Sequence, residues 1–172
     1  DNAIPILVRT LEDMSQEPMV RHEAAEALGA IGKPEIVPIL QKYLNDPVVE
    51  VVETCTLALD RIKWLQDPLT SKNILDNNPC RSVDPAPPSA IKDVNKLKSI
   101  LLDEKESLFV RYQAMFELRN MQTTEATLTI CAALRQGSAL FKHEIAFVLG
   151  QLQDKASVPF LKESLQDLNE NE

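Results

Sequence analysis

Apolar residues recur at helical spacing along most of the chain, and the breaks carry Pro or Gly. Ile4, Leu7, Val8 and Leu11 predict a helix over Ala3 to Met14. Ser15 to Pro18 interrupts it, and Pro18 suits the first turn of a new helix. That helix runs from about Met19 to Ile31, with Ala24, Ala27, Leu28 and Ile31 facing inward. Gly32 with Pro34 ends it. A third helix covers about Glu35 to Leu44, and Asn45-Asp46-Pro47 reads as a turn and cap. The fourth runs from Val48 to about Trp64, its core face marked by Val49, Val52, Cys55, Leu59 and Ile62.

From Leu65 to about Ile91 the pattern stops. Pro68, Pro79, Pro85, Pro87 and Pro88 fall in this stretch, which reads as an extended linker longer than loops inside compact domains. Helices then resume. Val94, Leu97, Ile100 and Leu101 mark one, and Leu108 to Met121 the next. Thr123-Thr124 caps a helix from about Glu125 to Leu134, and Ser138 caps another that runs to about Leu152. Ala156 to Leu168 is the last, with Val158, Phe160, Leu161 and Leu165 apolar; the polar tail after it should fray.

The helices repeat. Val20 to Leu28 aligns with Val51 to Leu59 at an offset of 31 (53 − 22), and Val110 to Leu118 aligns with Phe141 to Leu149 at the same offset (143 − 112). The fold class is therefore all-α, with HEAT-like helical-hairpin repeats in two lobes. Residues 1–64 form an N-terminal lobe of two repeats, 65–91 the Pro-rich linker, and 92–172 a C-terminal lobe of two repeats plus an unpaired helix. Terminal repeats are normally capped, so that last helix should expose apolar surface and offer a site of self-association.

Composition narrows the function classes. Four glycines and 5% aromatics argue against an all-β fold. A net charge of -8 argues against a broad nucleic-acid surface and suits a basic partner. No apolar run reaches the roughly 20 residues that span a bilayer, and neither a basic signal region nor an initiator Met opens the sequence. Cys55, Cys80 and Cys131 are widely spaced, as reduced intracellular thiols are.

One phrase occurs twice at the same repeat phase: V-R-H-E-A-A-E-A-L-G from Val20 and F-K-H-E-I-A-F-V-L-G from Phe141. Each places a His beside a Glu, His22-Glu23 and His143-Glu144. Imidazole with carboxylate is a ligand set for non-heme iron, manganese or zinc. The plainer reading is two polar first turns whose Glu residues favour the positive helix end. In that case the protein is a non-catalytic HEAT-repeat interaction module.

Longer phrases add a resemblance. Gln16 to Gly32, Ser82 to Pro88 (S-V-D-P-A-P-P), Arg111 to Asn120 and Ser138 to Leu152 resemble motifs of the deoxyhypusine hydroxylase family. The resemblance implies an all-α, HEAT-like, cytoplasmic enzyme with two Fe(2+) per complete molecule. Its partners would be molecular oxygen and a translation initiation factor bearing deoxyhypusine, with no nucleic acid and no membrane. Residue by residue, it implies that His22 and Glu23 ligate one iron and His143 the other. Glu144 matches a Glu that orients the substrate amine, with iron binding as its other role. That family has four His-Glu motifs and this sequence two, so the first and fourth would lie before Asp1 and after Glu172. Each iron would lack ligands in this chain alone, unless two copies docked and supplied them to each other.

Overall fold

The computed structural model describes residues 3–68 and 78–168, so the centre of the Pro-rich stretch and the C-terminal tail lie outside the described residues. All regular elements among the described residues are helical. In sequence order they are α1 (Ile4–Glu12), α2 (Pro18–Ile31), α3 (Val37–Lys42), α4 (Val49–Gln66), α5 (Val94–Leu102), α6 (Leu108–Met121), α7 (Thr124–Cys131), α8 (Ala139–Leu152) and α9 (Val158–Gln166). Short 3-10 turns precede α3 and α9 and follow α7.

The repeat period is written into the helix starts. The residues that cap α2 and α4, Glu17 and Val48, stand 31 apart (48 − 17), as do Ser107 and Ser138 before α6 and α8 (138 − 107). Ser107 and Ser138 accept hydrogen bonds from Val110 N (3.3 Å) and Phe141 N (3.2 Å), satisfying two otherwise orphaned helix donors. His22, Glu53, Tyr112 and His143 are therefore all the fifth residue after the cap. Helices α2, α6 and α8 also end in register, on the left-handed residues Gly32, Gln122 and Gln153. At φ 72° Gly32 adopts this stop without a Cβ penalty.

The protein divides into two compact units, Asp1–Asp76 with Val83–Ala86, and Asn77–Ser82 with Pro87–Glu172. In the first, α1, α2 and α4 pack around Leu11, Ala25, Leu28, Ile36, Leu40, Val51, Cys55 and Ile62, all fully buried. Gly29 lets α4 approach closely: a Cβ built there would lie 2.6 Å from Ala58 Cβ and 2.9 Å from Ala58 Cα. Val49 and Ile31, expected inside, are exposed, and Val51 rather than Val52 is fully buried. In the second unit Tyr112, Phe116 and Phe141 form a ring cluster, with Tyr112 to Phe141 at 5.8 Å between centroids. No side chain of α9 is fully covered, and Val158, Phe160 and Leu165 are exposed, as its unpaired position led us to expect.

The same arginine brace recurs in both units. Arg21 Nε donates to Leu11 O and Arg111 Nε to Leu101 O, each at 3.0 Å across ten residues, joining the second helix of a hairpin to the end of the first. Arg21 also makes a bidentate pair with Asp46 at 3.1 and 2.6 Å, with both side chains 2% exposed. Asp46 therefore does more than close the turn before α4. Its carboxylate also accepts from Val48 N, but its main partner is a buried guanidinium. Arg111 lies over the Phe141 ring at 3.9 Å.

Helix α4 runs two residues into the expected linker, to Gln66, and beyond it the Pro-rich stretch has no helix among its described residues, yet it is anchored. In the second unit the fully buried Arg119 donates to Asn78 Oδ1 (3.0 Å) and Ser82 Oγ (3.3 Å), and also to Gln151 and Asn120. In the first unit Asp84 attracts the buried Arg61, and Ala86 is buried. Arg119→Met should release residues 78–82. Backbone amide exchange there is expected to accelerate at least tenfold, as local opening replaces anchoring; unchanged protection would show that the prolines alone hold the segment.

Candidate metal and substrate site

The His-Glu pairs lie at matching register but have opposite burial. His22 is buried at 3% while the Glu23 side chain is 61% exposed. His143 is exposed while Glu144 is buried. The cause is the neighbour each helix has. The fifth residue after the cap is buried where a following second helix is present: His22 beside α4, and Tyr112 beside α8. The sixth is buried where a preceding second helix is present: Thr54 of α4 after α2, and Glu144 of α8 after α6. Among the described residues α2 has no preceding second helix in its unit and α8 no following one, and Glu23 and His143 are exposed there. The glycines agree: Gly29 meets Ala58, whereas Gly150, at the same register of α8, meets nothing within 4 Å.

Within α2, His22 Nε2 lies 3.5 Å from Glu23 Oε1. Consecutive helical residues diverge by about 100°, so this approach requires the exposed carboxylate to turn back toward the ring. The result is a nitrogen and an oxygen donor at one place, the mixed set that suits iron. Among the described residues no three His, Cys, Asp or Glu side chains come together as a complete ligand set. The fit to iron is thus a fit of part of a coordination shell. In the second unit, His143 and Glu144 are not presented together: one side chain faces outward and the other packs inside.

Charge around His22 was not singled out in the sequence. Glu26 lies one turn beyond His22 and Glu23 on α2 and is half-buried. Burial raises its carboxyl above the usual range, and the negative charges of Glu23 and Asp84 raise it further. The signal was present in the sequence as acidic residues at i and i+3 beside the His, but a helix surface commonly carries such pairs. Asp84 comes from the Pro-rich stretch, and no local pattern could place it here. Burial also explains the thiols: Cys55 is pushed up to about 12 and Cys131 to about 11, so both stay protonated in the core at neutral pH.

A cavity of about 370 Å³ lies in the C-terminal unit between the turn after α7 and α9. Leu134, Arg135, Phe160 and Glu163 line it, with Arg135 paired to Glu163. It contains neither His-Glu pair. No helix among the described residues is long and apolar enough to cross a membrane.

Comparison with known proteins agrees with the repeat reading. The family described as HEAT repeats matches residues 1–68, and that described as PBS lyase HEAT-like repeat matches 110–136 and 141–167. Deoxyhypusine hydroxylase of Drosophila melanogaster is 58% identical over 171 residues, covering 99% of this chain and 56% of that protein. The proteins of that name from Gallus gallus and Homo sapiens are 54% and 53% identical, each over 98% of this chain. A solved structure of human deoxyhypusine hydroxylase in complex with glycerol superposes with a TM-score of 0.91 at 53% identity, covering 99% of this chain and 58% of that one. The chain thus spans about half the length of the curated relatives it matches. Across the stretch it spans, about half the length of those proteins, the chain is similar in sequence and fold to the deoxyhypusine hydroxylases and carries HEAT-like repeats.

Proposed function

We propose that this chain supplies part of the active centre of a deoxyhypusine monooxygenase, acting on a translation initiation factor in the cytoplasm. The observation that carries the reading is the His22-Glu23 donor pair, 3.5 Å apart on a helix whose sequence is that of the family. His22 and Glu23 would hold one iron and His143 the other. Iron, when bound, supplies the activation of molecular oxygen. One oxygen atom is inserted into a C–H bond of the deoxyhypusine group; the other leaves as water, with two electrons from an external reductant.

The protein's own residues have simpler tasks. Helix α4 packs closely on α2 at Gly29 and Ala58, and His22 is buried with its Nε2 3.5 Å from Glu23 Oε1. In its neutral form the ring keeps a lone pair for the metal. Glu144 is buried in the second unit, and its carboxylate would meet the substrate amine there. The net charge of -8 draws a basic side chain toward the molecule.

Anaerobic titration with ferrous iron tests the metal reading. The chain should bind iron, and His22→Ala should weaken that binding by about tenfold or more. Incubation with oxygen, a reductant and a deoxyhypusine-bearing protein should add the mass of one oxygen atom to the substrate. His22→Ala should lose that product. Equal iron affinity in the two proteins would remove the reading.

A further inference from the structure

Lys92 and Glu117 form an ion pair of unequal partners in the second unit. Lys92 Nζ donates to Glu117 Oε1 at 2.7 Å; the lysine side chain is 70% exposed and the carboxylate side chain 6% exposed. Glu117 pairs with no second cation among the described residues. A buried negative charge is thus balanced by an amine that a modifying enzyme can reach. Lys33 differs: it lies 3.9 Å from Glu35, whose side chain is itself exposed, so loss of its charge strands nothing. The amine also closes a strap. Ser89 N donates to Gln113 O of α6 at 2.9 Å, and Ile91 N to Ser89 Oγ at 3.2 Å. Glu117 lies one turn beyond Gln113 on α6. Residues 89–92 therefore run along α6, tied to it by a backbone hydrogen bond at one end and a charge pair at the other.

We propose that Lys92 is a modification site that takes an acyl group from an acyl thioester, and that its acylation releases residues 89–92 from α6. The Lys92 ammonium first gives one proton to solvent base. The amine Nζ then attacks the thioester carbonyl carbon, the N–C bond forms and the C–S bond breaks. The thiol leaves with the second proton. The amide left on Lys92 is neutral, so Glu117 becomes a buried charge without its cation, an arrangement that is strongly destabilising. Its carboxylate regains solvent when the strap lifts, and lifting takes the Ser89 amide away from Gln113. The device lies wholly within the second unit and goes beyond the hydroxylase reading, since it needs neither iron nor substrate.

Incubation of the whole chain with acetyl-coenzyme A, followed by peptide mass spectrometry and amide hydrogen exchange, tests both steps. Lys92 should be acetylated at a rate comparable to the exposed Lys96 and Lys98 of α5. Exchange at Ser89 and Ile91 should then accelerate roughly tenfold or more, while amides of the first unit keep their protection. Lys92→Gln, neutral at the same place, should reproduce the acceleration without reagent. Lys92→Arg should keep wild-type protection before and after treatment. In a Glu117→Gln background no charge is left to strand, so adding Lys92→Gln should change exchange by less than about twofold. Lys92 left unmodified while Lys96 and Lys98 are acetylated overturns the site. Unchanged exchange at Ser89 and Ile91 in Lys92→Gln, equal acceleration with and without Glu117, or acceleration spread over the whole chain overturns the release.

Discussion

Asp46→Ala should destabilise the N-terminal unit by about 3–5 kcal/mol, the cost of leaving a buried charge without its partner. Arg21 and Asp46 are each 2% exposed and joined by two hydrogen bonds, at 3.1 and 2.6 Å. Removing the carboxylate strands a guanidinium that water cannot reach. Trp64, the only tryptophan, lies on α4 in the same unit, so urea unfolding followed by its fluorescence reads the loss directly. Asp46→Asn should lose most of the same amount, because shape is kept and charge is not. A loss below about 1 kcal/mol, the value of an exposed pair, would mean that water enters the pair.

The pair also sets an acid limit. Arg21's hydrogen bonds hold the Asp46 carboxyl below its usual range, helped by the Val48 amide and opposed by burial. A folded-state value below the unfolded one contributes stability that is fully present above about pH 4 and lost as pH falls through the lowered value. The stability of Asp46→Ala should therefore depend less on pH in that acid window than that of wild type.

The second large effect concerns two glycines at one register. Gly29→Ala and Gly150→Ala gain the same helix propensity, about 1 kcal/mol. Only the first meets backbone, at 2.9 Å from Ala58 Cα, whereas the second meets nothing within 4 Å. Their difference isolates the overpacking cost, about 1–3 kcal/mol. Gly150→Ala should raise the thermal midpoint, and Gly29→Ala should lower it by forcing α4 away from α2. That shift also loosens the cover over His22, so Gly29→Ala should weaken iron binding without touching a ligand. If both variants melt higher than wild type, the α2–α4 contact is softer than its close approach implies.

Helix starts and stops were legible because they are local. Pro18 acts in the first turn through its fixed φ and missing donor, and Gly32 at the stop and Ser138 and Thr123 as caps act through hydrogen bonds to residues within four positions. The repeat was legible because each hairpin carries its own copy of the pattern. The arginine brace was in the sequence as Val20-Arg21 and Val110-Arg111, but a lone basic residue reads as surface until its acceptor is known. Asp46 was read as a cap because its nearest donor is Val48 N; its principal partner lies 25 residues away.

The sequence by itself determined the helices, their 31-residue period, the register of His22 and His143, and the phrases that carry the resemblance. Each follows from spacing between residues, and spacing survives without a fold. Only the tertiary structure decided which member of each His-Glu pair is buried, because that depends on whether a second helix stands before or after it. It also brought Asp84 within electrostatic reach of Glu26 and Arg61, and tied Asn78 and Ser82 to Arg119. Those contacts join residues more than twenty positions apart, where side-chain burial and charge outweigh anything the local pattern encodes.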